Sequence, residues 1–319
     1  MNSAETLPNC SVVIVSYNVA DLLLACIESV YASASTSPTP LTPQVIVVDS
    51  ASTDDTVARL QQRVPQVKLI ACSDNVGFTR GNNLGFAAAT EEFIFMLNPD
   101  TVLLGAALPT LMSFLQQNPA VGIVGPHTYN ADMTTQSTRR RFPRRLTAFF
   151  ESTWLEGYAP RRILDDFYVR DRPDDETQEV DWVQGSALMM RREVYEQIGP
   201  LDEGYHMYSE ELDFCKRAVE AGWRVAYCAD AHIIHYGGAS SDQIGAHKHI
   251  YFQTSKLRYH RKVHGARFAA VLRVFLLSSY LSQVVLEAVK ALLGSKPSMR
   301  WQRVRNYWQV LRSGLRVTA

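Results

Sequence analysis

The first 126 residues repeat one pattern: a short apolar run, a polar turn, then a stretch with helical spacing. Runs at 11–16 (SVVIVS), 45–48, 67–71, 92–97 and 121–124 read as strands, being short and mostly rich in β-branched or aromatic residues. Between them, 20–34, 53–64 and 104–117 read as helices. Leu23, Ile27 and Val30 share one face of the first, and Thr53, Asp54 and Asp55 open the second. Parallel neighbours need a crossover connection, so strands alternating with helices imply a mainly parallel sheet covered on both faces. Ligands of such sheets bind beyond the carboxyl ends of the strands. The residues at those ends are Tyr17, Asn18, Asp49, Asp74, Asn75, Asn98 and Asp100.

Residues 127–180 break the pattern. They are basic at 139–145 and acidic at 171–181, and read as a long excursion over the site. Beyond them, 181–190 reads as a strand, 193–198 as a helical turn, 210–221 as a helix and 224–228 as a strand. The start of that last helix concentrates three carboxylates, Glu210, Glu211 and Asp213, and His235 follows one strand later. Acidic residues favour a helix N-terminus on electrostatic grounds alone. Crowded carboxylates are also costly unless they bind a cation or move a proton. Asn98-Pro99-Asp100 is a second acidic turn, more than a hundred residues earlier. Together they suggest a metal-dependent site built from distant segments.

Each motif has a plainer reading. Asp49 would cap the following helix, although Ser52 or Thr53 already serves there. The glycine- and asparagine-rich stretch 75–85 enters a helix, where Arg80 and the helix N-terminus suit phosphate, and its glycines permit close backbone approach. Asn98–Asp100 would make an ordinary turn. His232 and His235 would be satisfied core histidines, but Gly237-Gly238 after His235 is a mobile connection that would suit a lid.

Composition narrows the class. The chain has 319 residues, 46% hydrophobic and 20% charged, enough for one large domain with an appendage. Its five cysteines form no CxxC pair, which excludes a structural zinc site of that kind and fits reduced thiols in the cytoplasm. Residues 1–9 lack the basic stretch of a signal peptide. A net charge of zero hides a division: residues 248–319 hold 14 Lys and Arg against one acid, Glu287. Within that tail, 268–293 reads as a helix whose longest uncharged stretch, 274–286, is short of the ~20 residues that span a bilayer. Residues 296–316 mix six basic residues with Trp301, Tyr307 and Trp308. This composition suits the anionic inner face of a membrane; the alternative is packing on the main domain or in a homodimer. Nucleic acid is set aside, because no recognition module is present.

The ordered set Ser16-Tyr17-Asn18, Val48-Asp49-Ser50, Asn75 with Gly77, Phe78, Gly81, Asn83 and Gly85, Leu97-Asn98-Pro99-Asp100, Gly185-Ser186-Ala187, Gly199 with Asp202 and Glu203, Tyr208 with Glu210, Glu211 and Asp213, and His235 with Gly238 and Ser240 resembles the family 2 inverting glycosyltransferases, the rhamnosyltransferase-like branch above all. The resemblance covers about residues 10–265. It implies a GT-A fold, an α/β domain at 1–265 with a nucleotide-sugar half (1–126) and an acceptor and catalytic half (127–265), followed by a basic amphipathic tail (266–319). It implies that Ser16, Tyr17, Asn18, Asp49, Asn75, Gly77, Arg80, Asn83, Asn98 and Asp100 bind the donor. Trp182, Gly185 and Ser186 would face the acceptor. Asp100 and His235 would hold Mg²⁺ or Mn²⁺. Asn98 stands where the family usually has Asp, which removes one charge. Glu211 fills the position of the catalytic base, with Glu210 as its rival and Asp213 beside them.

The implied reaction moves a sugar, such as rhamnose, from a dTDP-, UDP- or GDP-linked donor to a glycan or polyprenyl-diphosphate-linked acceptor for the cell envelope. One carboxylate base and no covalent nucleophile give inversion. Two alternatives are a nucleotidyltransferase that makes the nucleotide sugar and a glycan-binding relative that has lost catalysis. The former would carry a phosphate loop near the N-terminus, and residues 11–19 have none.

Overall fold

A computed structural model describes residues 9–237 and 245–317. Gly238, Ser240 and residues 1–8 lie outside the described residues. The chain forms two compact units.

The first unit comprises 9–142, 168–203 and 211–237. Its strands are β1 (Cys10–Ser16), β2 (Gln44–Asp49), β3 (Lys68–Ala71), β4 (Phe93–Leu97), β5 (Thr101–Leu104), β6 (Val121–Tyr129), β7 (Thr135–Gln136), β8 (Arg139–Arg140), β9 (Gln178–Val180), β10 (Trp182–Val183), β11 (Ala187–Arg191) and β12 (Arg224–His235). The main sheet runs β3-β2-β1-β4-β11-β6-β12-β5. Its first four strands are parallel, as the alternating pattern requires. β11 then enters antiparallel between β4 and β6, β12 runs parallel to β6, and β5 closes the far edge antiparallel to β12.

Helices α1 (Ala20–Ser35), α2 (Thr56–Arg63), α3 (Gly77–Ala88) and α4 (Ala107–Gln117) fill the crossovers. Leu23, Ile27 and Val30 of α1 are buried with Val12, Ile14, Phe95 and Leu108 in one core. Burial of both sheet faces explains why β1 and β4 read as continuous apolar runs rather than alternating ones.

Most of the glycine-rich stretch is helix α3, not loop. Gly81 and Gly85 bring α3 onto β1: a Cβ at Gly81 would lie 2.8 Å from Val15 Cγ1, and one at Gly85 would overlap Val13 Cγ1. Of these glycines, Gly77 alone adopts a left-handed φ, 75°. Gly81 and Gly85 therefore serve packing, whereas the sequence suggested ligand approach.

Three elements differ from the sequence reading. Residues 181–190 are not one strand: β10 pairs with β8 in a separate two-stranded sheet, and β11 pairs with β4, so the chain turns between two different partners. β5 precedes α4 and ends at Gly105, whose φ is 50°; its pairing with β12 makes it a strand. β12 continues to His235 rather than stopping at 228.

Short helices α5 (Thr147–Phe150) and α6 (Arg161–Phe167) precede β9, and α7 (Arg192–Ile198) and α8 (Glu210–Glu220) follow β11. α5 and α6 belong to the second unit, which comprises 143–167, 204–210 and 245–317, and so extends beyond the 266–319 tail. Its main helices are α9 (Ala246–His264), α10 (Ala266–Leu292) and α11 (Pro297–Ser313). The sequence reading assigned no element to 246–264. Leu257, Leu272, Leu276, Tyr280, Val310 and Leu315 form its core with Ala148. Among the described residues α10 is the one helix long and apolar enough to cross a bilayer, although its uncharged stretch alone falls short of the ~20 residues that span one.

Gly85→Ala should destabilise the first unit by about 1–3 kcal/mol, the usual cost of forcing extra volume into a packed interface. Urea denaturation measures this; an unchanged midpoint would mean that α3 does not need its close approach to β1.

Candidate active site

The carboxyl ends of β1, β2 and β4 align. Ser16 pairs with Asp49, and Ile14 with Leu97, so Tyr17, Asp49 and Asn98 project from one edge. β11 and β5 run the opposite way and begin where those strands end. Ala187 stands opposite Leu97, and Asn98 N–H donates to the Ser186 carbonyl at 2.9 Å. Thr101 stands opposite His235 at the end of β12. Four distant segments, 16–18, 98–101, 184–187 and 235–236, thus meet at this edge.

Asp100 and His235 meet directly. Asp100 Oδ1 lies 3.3 Å from His235 Nε2, and Asn98 Nδ2 is also 3.3 Å from that nitrogen. The Tyr236 N–H donates to the Asp100 carbonyl at 3.0 Å, which locks the 98–101 turn to the end of β12. Inside the turn, Thr101 Oγ1 donates to the Asn98 carbonyl at 2.6 Å.

Gln136, in the two-residue strand β7, sets the imidazole. Its Nε2 donates to Asn130 Oδ1 at 2.8 Å and reaches the His235 carbonyl at 3.4 Å. Its Oε1 therefore faces His235 Nδ1 at 2.7 Å and must accept from it. Nδ1 therefore carries a proton, and Nε2 faces Asp100 and Asn98. Sequence reasoning missed Gln136, because nothing in a polar two-residue strand marks its register against β12.

Asp49 accepts the Ser52 N–H at 2.9 Å through Oδ2 and so closes the 49–52 turn rather than capping α2, which begins at Thr56 after Asp55; its Oδ1 is buried and has no partner among the described residues. Asn18, at φ 52°, accepts the Thr53 N–H at 2.7 Å and holds the 17–18 turn against the 52–54 turn. Asn75 accepts the Gly77 N–H at 3.0 Å and the Ser50 hydroxyl at 3.1 Å. Asn18 and Asn75 thereby shape the edge. Arg80 is exposed on the first turn of α3. Asn83 is fully used: its amide donates to the Leu201 carbonyl at 3.0 Å and to Glu203 at 3.1 Å, and its carbonyl accepts the Leu201 N–H at 2.9 Å. It fastens α3 to the 199–203 turn.

The turn entering α8 carries two consecutive left-handed residues, Tyr208 at φ 71° and Ser209 at φ 64°. Non-glycine residues pay for that conformation, and it concentrates at functional sites. Glu211 Oε1 is 3.5 Å from the Gly185 N–H, and Oε2 is buried with no partner among the described residues. Burial pushes the Glu211 carboxyl up from its ordinary range; backbone N–H groups of Glu211, Gly185 and Leu212 and the buried Arg140 guanidinium offset only part of this. Arg140 came from the basic run at 139–145, whose other readings gave it no role. A Cβ at Gly185 would lie 3.1 Å from Met96 Cε and in ordinary contact with Glu211, 3.4 Å from its Cβ. Glu210 is buried at the start of α8. Asp213 pairs with Arg217 at 3.1 Å, and Arg217 also donates to the carbonyls of Ile198 and Pro200, so Asp213 anchors the helix. Trp182 is buried and donates its indole N–H to the Arg141 carbonyl at 3.1 Å.

Buried polar atoms usually find partners. Ser16 Oγ, Asp49 Oδ1, Asn98 Oδ1, Ser186 Oγ and Glu211 Oε2 have none among the described residues, and all five lie at or beside the converging strand ends. Such an edge suits a polar ligand that supplies the missing partners. The five cysteines are free, as their spacing implied.

A mainly parallel α/β sheet with a polar, carboxylate-bearing edge of this kind is a ligand site, and comparison with known proteins gives its class, a glycosyltransferase of the GT-A fold. The chain matches Glycosyl transferase family 2 over residues 11–199 and belongs to that family. It is 27% identical over 208 residues to an N-acetylglucosaminyl-diphospho-decaprenol L-rhamnosyltransferase of Mycobacterium tuberculosis, covering 62% of this chain and 67% of that protein. It is 27% identical over 168 residues to the rhamnosyltransferase WbbL of Escherichia coli, covering 50% of this chain and 61% of WbbL. Among solved structures it resembles the mannosyltransferase PcManGT of Pyrobaculum calidifontis in complex with GDP-Man and Mn²⁺, with TM-score 0.53, 17% identity, and 97% and 87% of the two chains covered. GalNAc-T7 with UDP, GalNAc and Mn²⁺ aligns with TM-score 0.56 and 13% identity over 81% of this chain, which spans about half (48%) of that one. These structural likenesses are of fold.

The imidazole geometry is directly testable. Nitrogen-15 chemical shifts of metal-free protein should show the His235 proton on Nδ1, and Gln136→Leu should release it to a mixture of tautomers. A parent signal with the proton on Nε2 would overturn this assignment.

Proposed function

We propose that the chain is an inverting hexosyltransferase that moves a sugar, rhamnose being the leading candidate, from a nucleotide-diphospho donor to a lipid-linked glycan. The carrying observation is the placement of Asp100 Oδ1 and His235 Nε2 3.3 Å apart beside Asn98 and buried oxygens without a partner among the described residues. A carboxylate oxygen and an imidazole nitrogen at that distance, with Nδ1 already held by Gln136, suit a shared cation. Among the described residues no group of three His, Cys, Asp or Glu gathers around an ion, so the donor diphosphate would have to complete the shell. Asp100 and His235 fit a divalent ion on those terms. The similarity to rhamnosyltransferases, one acting on a diphospho-decaprenol substrate, supports the sugar and the acceptor class. Structures of the same fold determined with Mn²⁺ and nucleotides support the ion.

In this reading Asp49, with its free Oδ1, and Tyr17 receive the nucleoside, and Asn98 and Ser186 contact the donor near the reacting carbon. A divalent ion, when bound, neutralises charge on the departing diphosphate. Glu211 accepts the proton of the acceptor hydroxyl. The hydroxyl oxygen bonds to the anomeric carbon as the carbon–oxygen bond to the diphosphate breaks on the opposite face, which inverts the configuration. Gly185 and Ser186 border the acceptor side, and Arg140 keeps part of the Glu211 charge compensated. Release of nucleoside diphosphate from dTDP-, UDP- and GDP-sugars tests the class; no release from any donor, with or without acceptor, would exclude it.

Asp100→Ala should cut Mn²⁺-dependent nucleotide affinity by at least the ~10–100-fold that follows loss of a supporting residue at a metal site. His235→Ala should cost less, because a neutral imidazole gives a hard cation less charge than a carboxylate. Calorimetry in which both variants bind like the parent removes the metal assignment.

Glu211→Gln should keep nucleotide affinity and lower turnover by about 10²–10⁴-fold, the usual worth of a general base. In the parent, kcat should fall with decreasing pH through a pKa above the ordinary carboxylate range, since burial raises it. The stability sign is opposite: the folded state holds its proton to higher pH than the unfolded chain, so ionisation of Glu211 costs stability as pH rises through that interval. Removing the charge should therefore leave the variant at least as stable as the parent at neutral pH. A full-activity Glu211→Gln enzyme, or an equal loss confined to Glu210→Gln, would move the base by one residue.

A further inference from the structure

We propose that α10 and α11 dock in plane on an anionic lipid bilayer. Each helix carries an outward stripe. On α10, Val274, Leu281, Val285 and Leu292 recur at helical spacing and are 52–77% exposed. On α11, Trp301, Arg305, Trp308 and Arg312 fall at i, i+4, i+7 and i+11, all exposed. Interleaved indole and guanidinium groups suit a bilayer interface, where rings sit at headgroup depth and cations reach phosphate.

Charge selects the occupant. The one acid after residue 247, Glu287, is buried and paired with Arg300 at 2.9 Å and Arg303 at 3.7 Å. Every exposed charge from 248 to 317 is therefore basic, which favours an anionic surface and opposes a second, equally basic copy. The inner face of α10 argues for lying in plane rather than crossing. Arg273 Nε donates to the Gly314 carbonyl at 2.6 Å, and Glu287 holds Arg300 of α11, so both ends of α10 are tied to α11 and its C-terminal turn. Leu272, Leu276 and Tyr280 are already buried in the core of the unit.

The test uses the full chain and needs no donor, so it stands apart from the transfer reaction. Vesicles of phosphatidylglycerol and phosphatidylcholine should sediment the protein, and pure phosphatidylcholine should do so at least ~10-fold more weakly. High salt should release only part of it, because apolar contacts are unscreened. Leu281→Glu with Val285→Glu, and separately Arg305→Glu with Arg312→Glu, should each weaken binding at least ~10-fold. These positions are exposed, so the melting temperature should not move. Equal binding by parent and variants, or none, overturns the proposal. So does association that resists alkaline carbonate, which would mean α10 crosses the bilayer. A lipid-free dimer dissociated by Leu281→Glu with Val285→Glu would make the face a self-association surface instead.

Discussion

β11 runs backwards against β4, placing Ala187 opposite Leu97, and the Asn98 N–H donates to the Ser186 carbonyl. That antiparallel insertion is the constraint on which the site depends. A purely parallel sheet would bring only βα turns to its carboxyl edge. One reversed strand delivers the start of a later segment to the same edge, and β12 and β5 repeat the device with His235 opposite Thr101. Residues as far apart in the chain as Ser16 and His235 thus reach one edge, with strand pairing holding each.

The site's electrostatics follow from this architecture. Strand ends are where backbone pairing stops, so polar side chains there either complete turns or wait for a ligand. Asn18, Asn75 and Asn83 complete turns and inter-element ties. Ser16, Asp49, Asn98 and Glu211 each retain a buried oxygen without a partner among the described residues. Such atoms are expensive to leave unmet, so their retention at one edge is a cost to stability that only a bound polar ligand offsets. The strained 208–209 turn that enters α8 just before Glu210 and Glu211 belongs to the same pattern.

Packing explains some sequence signals that looked chemical. Gly81 and Gly85 matter because α3 sits on Val13 and Val15 of β1, with no ligand between. Asp213 belongs to Arg217, and the Trp182 indole to a backbone carbonyl. A short polar or glycine signal does not distinguish contact with a ligand from contact with a neighbouring element, because both select the same residue types.

The sequence by itself determined the strand–helix alternation of the first half, its mainly parallel order, the family, and the strand-end positions of Asp49 and Asp100. Local periodicity and turn chemistry suffice for those, since each depends on residues a few positions apart. Glu211 and His235 were legible as titratable groups flanking a strand. Tertiary structure alone decided that 181–190 divides between two partners, that 101–104 is a strand, and that Gln136 orients His235. It also decided that Arg140 compensates Glu211. Each of these rests on pairing across tens of residues or more, where register between strands, not local pattern, sets which side chains meet.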